Sequence, residues 1–200
     1  MDKAFHIRLV KPADYAAILN IYSPYVTSTA VTFEYDVPSL SDFSERIKNI
    51  CSHYPCLVCE ANGEIIGYCY SGIHRVKTAY QWSTECTIYI AQAYHRKGIA
   101  KELYKTLFAI LKLQGFVNVY AGVSVPNEQS EKFHIKSGFT EIGLFEKIGY
   151  KLGQWHNLKF FQLILNEHSA NPLPPVSIGE VQKTEEFRKI LEEVNKVITI

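Results

Sequence analysis

Residues Tyr80 to Gly115 read YQWSTECTIYIAQAYHRKGIAKELYKTLFAILKLQG, and the change of period inside this stretch decides the fold. Trp82, Thr84, Cys86, Ile88 and Ile90 alternate with Ser83, Glu85, Thr87 and Tyr89, a β-branched and aromatic pattern that predicts a strand. After Gly98 the apolar residues Ile99, Leu103, Leu107, Ile110 and Leu111 recur at spacings of three and four, one face of an amphipathic helix, and Gly115 stands where a helix end favours positive φ. Strand and helix are joined by His95-Arg96-Lys97-Gly98-Ile99-Ala100. A basic, glycine-containing turn that opens a helix gathers unpaired backbone N–H groups and the positive end of the dipole around one point, which suits a phosphate or diphosphate. A nucleotide-bearing cofactor is the expectation.

Two common phosphate binders are excluded: the chain has neither G-x-x-x-x-G-K-[ST] nor G-x-G-x-x-G. With 200 residues, 47% hydrophobic and 20% charged, the chain fits one α/β domain with a sizeable core plus an appendage. A net charge of +1 gives no footprint for nucleic acid or an anionic membrane. Neither a signal peptide nor a membrane span is legible, and the five cysteines, odd in number and set in apolar strand patterns, read as buried hydrophobes of a reducing cytoplasm. Cys56-x-x-Cys59 lacks a second Cys/His pair, so no metal site is expected.

From the N-terminus, Phe5–Val10 predicts a strand, Pro12 a helix start, and Ala13–Tyr25 a helix with Tyr15, Ile18, Leu19 and Tyr22 on one face. Ser23–Pro38 reads as a loop holding a short extended piece, Thr29–Tyr35, before a helix capped by Ser39 or Ser41 and running to about Cys51. Cys56–Ala61 and Glu64–Ser71 flank Asn62-Gly63, a strong hairpin signal. Beyond the central stretch come a strand (Asn118–Val125), a short helix capped by Asn127 and ended by Gly138, and two strands, Thr140–Tyr150 and Trp155–Leu165. The expected division is a domain over 1–166, a linker over 167–182 containing Asn171-Pro172-Leu173-Pro174-Pro175, and an amphipathic helix over 183–200 with Phe187, Ile190, Leu191, Val194 and Val197 on its stripe. A helix this short must dock, on its own domain or on a second subunit.

This order of elements resembles the GNAT superfamily of N-acetyltransferases, and the resemblance continues in the residues. His95 to Ala100 is similar to the [QR]-x-x-G-x-[GA] diphosphate loop of that superfamily, with His95 in place of Gln or Arg, and SVPNEQSEKFHIKSGF (Ser124–Phe139) to its second motif. AYQWSTECTIYI, YHRKGIAKELY, GVSVPNEQSEKFH and GYKLGQWHNLKFFQ together resemble the phosphinothricin acetyltransferases, over about Ile7 to Leu165. The resemblance implies a GNAT fold of the α/β class: a mixed sheet of about seven strands flanked by helices, here with an added C-terminal helix. It implies acetyl-CoA as acyl donor, held by the main chain of Ile88, Tyr89 and Ile90, the amides of His95, Arg96, Lys97, Gly98, Ile99 and Ala100, and Asn127. A cytoplasmic homodimer acting on a small-molecule amine, with no nucleic-acid or membrane partner, is the expected setting.

Attack on a thioester needs a neutral amine, so a group must take a proton from the ammonium. By resemblance Glu85 is the catalytic glutamate, and His134 holds the position of a catalytic histidine; which is base and which acid stays open, since imidazole can serve as either. Without the resemblance Glu85 reads as a solvent-facing strand carboxylate and His134 as a helix histidine capped by a neighbouring carbonyl. Arg75 and Lys77 occupy a loop that, by resemblance, borders the acceptor and suits the carboxylate and phosphinate of phosphinothricin; both also read as solvated loop charges. Phe33, Tyr80 and Trp155 are candidate pocket walls or core aromatics. The implied reaction is direct acetyl transfer in a ternary complex to phosphinothricin, methionine sulfone or methionine sulfoximine. Another small amine, a protein N-terminus, or a non-catalytic acyl-CoA-binding regulatory module are the alternatives.

Overall fold

The computed structural model describes residues 5–197. Strand β1 (Phe5–Leu9) leads through a 3₁₀ turn at Pro12–Asp14 into α1 (Tyr15–Ser28) and α2 (Leu40–Cys51). A hairpin follows, β2 (Cys56–Ala61) and β3 (Glu64–Ile73), turning on Asn62 and Gly63, both at positive φ. Then come β4 (Ser83–Ile90), α3 (Ile99–Gln114), β5 (Asn118–Val125), α4 (Glu128–Lys136), β6 (Thr140–Lys151) and β7 (Gln154–Ile164). The chain ends in α5 (Ile178–Val181) and α6 (Glu185–Val197). The seven strands form one sheet in the order β1-β2-β3-β4-β5-β7-β6. Every neighbouring pair is antiparallel except β4–β5, which is parallel.

Two cores sandwich this sheet. On one face Ile99, Leu103, Leu107, Ile110 and Leu111 of α3 pack on Leu57, Cys59, Cys69, Cys86 and Val119. On the other, Ile18, Tyr22 and Val26 of α1 and Phe43 and Ile47 of α2 pack on Val58, Tyr68 and Tyr89. The helical stripes and strand alternation read from the sequence therefore mark the buried faces.

Thr29–Tyr35 lies in a loop, as expected, and joins no sheet; its polar groups are taken by side chains instead of a ladder. Thr32 Oγ1 and Glu34 Oε2 lie 2.7 and 2.9 Å from the Tyr22 hydroxyl, Arg46 pairs with Glu34, and Lys151 Nζ donates to the Thr32 carbonyl at 2.7 Å. The Tyr35 hydroxyl donates to the Tyr150 carbonyl, so the loop is strapped to the β6–β7 hairpin. Helix α1 runs on to Ser28, past Pro24 and the expected end at Tyr25.

Helix α6 docks on its own chain, against α3 and β1. Phe187 and Val194 are buried with the α3 core, as are Ile178 and Val181 of α5. Asn195 treats edge strand β1 as another strand would: its Oδ1 accepts from the Ile7 amide at 2.7 Å and its Nδ2 donates to the Ile7 carbonyl at 2.9 Å. The Pro-containing segment before α5 is also tied down, by Trp82 Nε1 donating to the Leu173 carbonyl and Gln114 Nε2 to that of Val176. Ile198 and the side chain of Val197 lie outside the described residues.

Candidate active site

The parallel β4–β5 ladder consists of only three pairs, Ser83↔Asn118, Thr84↔Val119 and Glu85↔Tyr120. Past Glu85 the strands part, and β4 keeps its other neighbour, β3, through Ile90. One edge of β4 from Cys86 onward therefore presents main-chain groups to a wedge instead of to a strand. Glu85 stands at its apex. Because Thr84 and Cys86 are buried on the α3 side, alternation puts Glu85, Thr87 and Tyr89 on the α1–α2 side.

At the open end of the wedge lies a cleft of about 410 Å³, lined by Ile88, Ile90, Tyr94 to Lys101, and Asn127, Gln129, Ser130 and Phe133 of α4. Gly98 is the N-cap of α3 at φ 78°, and Arg96 also has positive φ, 61°. Lys101 donates its amide to the Gly98 carbonyl at 3.1 Å, while the amides of Ile99 and Ala100, at the very start of α3, have no intrahelical acceptor. A Cβ built on Gly98 would meet nothing within 4 Å, so the cradle is open to an anion that approaches the main chain. Asn127 lines the cleft while its side-chain oxygen caps α4 by accepting from the Ser130 amide at 3.2 Å. Lys159 of β7 fixes that helix through Glu131 at 2.7 Å. His95, the departure from the usual loop, turns inward: its Nε2 lies 3.0 Å from the Ile90 carbonyl and 2.9 Å from the Tyr25 hydroxyl. It braces the loop against β4 and α1.

Glu85 has a partner that sequence reasoning missed, His74, whose Nδ1 lies 2.8 Å from Oε1. His134 sits elsewhere, 4% exposed on the α3 side of the sheet. Its Nδ1 donates to the Ser130 carbonyl at 2.8 Å, and its Nε2 accepts from Tyr104 at 3.2 Å. The Tyr104 hydroxyl in turn receives the Cys86 thiol proton at 3.3 Å. Burial lowers the His134 pKa, opposed by the Ser130 carbonyl, so the ring is held neutral. Glu85 and His134 thus lie on opposite sides of β4. Tyr104 was not among the residues of the α3 stripe read from the sequence, and nothing in its spacing pointed to His134.

Arg75, Lys77 and Tyr80 line a separate hollow of about 200 Å³, together with Tyr54, Ser83, Phe116 and Pro175. Ser83 precedes Glu85 by two residues on the same side of β4. Phe33 is not part of that hollow. Its ring lies 6.2 Å from that of His156 and so close to Gly149 that a Cβ there would stand 2.6 Å from it. Trp155 is exposed on β7, packed edge-on against Tyr150. Among the described residues no three His, Cys, Asp or Glu side chains group as a metal site, and no helix is long and apolar enough to cross a membrane.

The sheet is thus split between its two parallel strands, with an open glycine turn at the mouth of the split and a carboxylate at its apex, and the comparisons with known proteins assign this arrangement to the acyltransferases. Residues 7–158 match the acetyltransferase (GNAT) domain family. The chain is 32% identical over 156 residues to phosphinothricin N-acetyltransferase of Streptomyces viridochromogenes, covering 78% of this chain and 85% of that enzyme. It is also 32% identical to L-methionine sulfoximine/L-methionine sulfone acetyltransferase of Salmonella typhimurium, over 82% of this chain and 96% of that one. Among solved structures, a GNAT superfamily phosphinothricin acetyltransferase from Sinorhizobium meliloti in complex with acetyl-CoA superposes with a TM-score of 0.82 at 31% identity, over 86% of this chain and 95% of that one. The chain belongs to the GNAT acetyltransferases, and is an acetyl-CoA-dependent N-acetyltransferase of the phosphinothricin acetyltransferase-like group.

Proposed function

We propose that this enzyme acetylates the amine of a small anionic amino acid, of the phosphinothricin, methionine sulfone or methionine sulfoximine type, by direct attack in a ternary complex with Glu85 as general base. The observation that carries the reading is the ending of the β4–β5 ladder at Glu85 and Tyr120, which leaves a carboxylate at the apex of a wedge whose mouth is the anion cradle. Acetyl-CoA, when bound, supplies the acetyl thioester. The amides of Arg96 to Ala100 hold its diphosphate, with Arg96 and Lys97 adding positive charge, while Asn127 and the edge of β4 from Ile88 to Ile90, unpaired with β5, align its arm. Glu85 takes the proton that the acceptor ammonium must lose before attack. His134, neutral and with its one ring proton given to Ser130, is a poor acid; it orders Tyr104 and Cys86 beneath the strand.

Arg75 and Lys77, two residues apart on the loop leading into β4, are our candidates for the anionic end of the acceptor, with Tyr80 beside them. Phe33, on the α1–α2 loop against Gly149, and Trp155 of β7 are our further candidates for walls of the acceptor site. The half-exposed apolar side chains of β6, Leu144, Phe145 and Ile148 among them, fit a homodimer with a second copy on that strand. A cytoplasmic enzyme of this specificity would confer phosphinothricin resistance. The test is thiol release from acetyl-CoA against a panel containing L-phosphinothricin, L-methionine sulfone, L-methionine sulfoximine, a neutral amine and a peptide N-terminus. The highest kcat/KM is expected for one of the three amino acids; a higher value for the neutral amine or the peptide contradicts the proposal.

A further inference from the structure

We infer that His74 is a positioning residue for Glu85: its Nδ1–H holds one carboxylate oxygen so that the other faces the acceptor amine. The inference rests on the reading of Glu85 as base and adds a residue to that site. Glu85 pairs across the sheet with Gly72 on β3 and Tyr120 on β5. Gly72 has no side chain, so the residue two further along, the diagonal neighbour His74, reaches Glu85 unobstructed. Its imidazole is clamped rather than loose. It stacks on the Tyr120 ring at 4.4 Å and 20°, and meets Tyr80 edge-on at 6.1 Å. Tyr120 is itself held from β7, its hydroxyl accepting from Gln162 Nε2 at 3.2 Å.

The chemistry of the contact fixes its direction. An ionised carboxylate only accepts, so the 2.8 Å bond makes Nδ1 the donor and Glu85 Oε1 the acceptor. The two side chains are unequally exposed, 15% for His74 and 46% for Glu85. The imidazole lies beneath and the carboxylate above, with Oε2 left for the amine. A strand carboxylate this exposed would otherwise sample several rotamers, and holding it in one of them is worth rate only in the step that Glu85 performs. The order His74, Arg75, Lys77 also means that one short loop carries both the clamp on the base and the two cations, so ordering the loop by an anionic acceptor would order the base with it.

The test uses the full chain with acetyl-CoA and the best acceptor of the amine panel, L-phosphinothricin on the reading above. His74→Phe keeps the stack on Tyr120 and removes the donor; His74→Asn replaces Nδ1–H with an amide N–H at nearly the same place. His74→Phe is expected to lower kcat about 10- to 100-fold, the loss of one hydrogen bond to a charged group, with acetyl-CoA affinity by calorimetry unchanged. His74→Asn should restore most of the rate. In a Glu85→Gln background His74→Phe should cost little further, because a residue that acts through Glu85 has nothing left to act on. A His74→Phe loss equal in both backgrounds, equal damage in His74→Asn, or full activity in His74→Phe overturns the proposal. Full activity in Glu85→Gln overturns the underlying reading as well, whereas an impaired Glu85→Gln beside an unimpaired His74→Phe sinks the role of His74 alone.

Discussion

The proposed diphosphate cradle makes a prediction that separates binding from folding at one atom. Gly98 has φ 78° and ψ −8°, a left-handed conformation, and a Cβ there would meet nothing within 4 Å. Gly98→Ala should therefore cost only the backbone strain, about 1 to 2 kcal/mol for an L-residue in that region. At about 2 to 4 °C per kcal/mol for a chain of this size, the melting temperature should fall by roughly 2 to 8 °C. The new methyl group instead occupies the space through which a diphosphate reaches the first-turn amides of α3. Loss of one hydrogen bond to a charged group weakens binding about 10- to 100-fold. Gly153 supplies the control, at φ 79° with equally open surroundings but in the β6–β7 turn. Titration calorimetry with acetyl-CoA and thermal melts of both variants should give similar melting shifts and a loss of affinity in Gly98→Ala alone. Unchanged acetyl-CoA affinity in a folded Gly98→Ala protein, or an equal loss in Gly153→Ala, would refute the cradle.

Two further predictions concern stability. Asn195→Ala strips the Ile7 amide and carbonyl of their partners, and urea unfolding should show a loss of about 1 to 3 kcal/mol, with catalysis unchanged at temperatures where the variant stays folded. Wild-type stability in Asn195→Ala would mean that α6 does not cap β1. Burial depresses the His134 pKa below its ordinary 6.5, so in acid the unfolded chain binds the proton that the folded chain refuses. Its contribution is fully present above pH ~6.5 and falls away below it, with a slope of at most ~1.4 kcal/mol per pH unit. His134→Phe should flatten that part of the stability profile measured by urea unfolding from pH 5 to 8; superimposable slopes would show that the imidazole is not the group held neutral.

Legibility tracked the range of the interaction that carries each feature. The change from alternation to 3.6-residue spacing at Gly98 and the Asn62-Gly63 turn are local signals, and the corresponding elements formed with boundaries within about three residues. The end of α1 was misplaced, at Tyr25 instead of Ser28, and the loop after it is fixed by Tyr22, Lys151 and Tyr150, partners as distant as 119 positions along the chain that no local pattern states. The stretch from Asn171 to Pro175 is as unsuited to helix or sheet as its composition says, yet it is followed by Ile178 and Val181, which a four-residue helix buries in the α3 core. No period is visible in four residues. In the site, the glycine turn and Glu85 were legible through motif resemblance. His74 was not, because its link to Glu85 depends on the register of β3 against β4, and a bare sequence states no register.

The central claim is that Glu85 removes the acceptor proton, and the most direct measurement is the pH profile of kcat/KM for acetylation of L-phosphinothricin by the wild-type enzyme and Glu85→Gln, with acetyl-CoA affinity measured in parallel. The substitution keeps the shape of the side chain and removes its ability to take a proton. The expected result near pH 7 is a loss of about 10²- to 10⁴-fold in kcat/KM with unchanged acetyl-CoA affinity, the defect narrowing as pH rises and the acceptor amine arrives already neutral. A Glu85→Gln enzyme as fast as wild type at pH 7, or one whose loss lies wholly in acetyl-CoA affinity, would contradict the account.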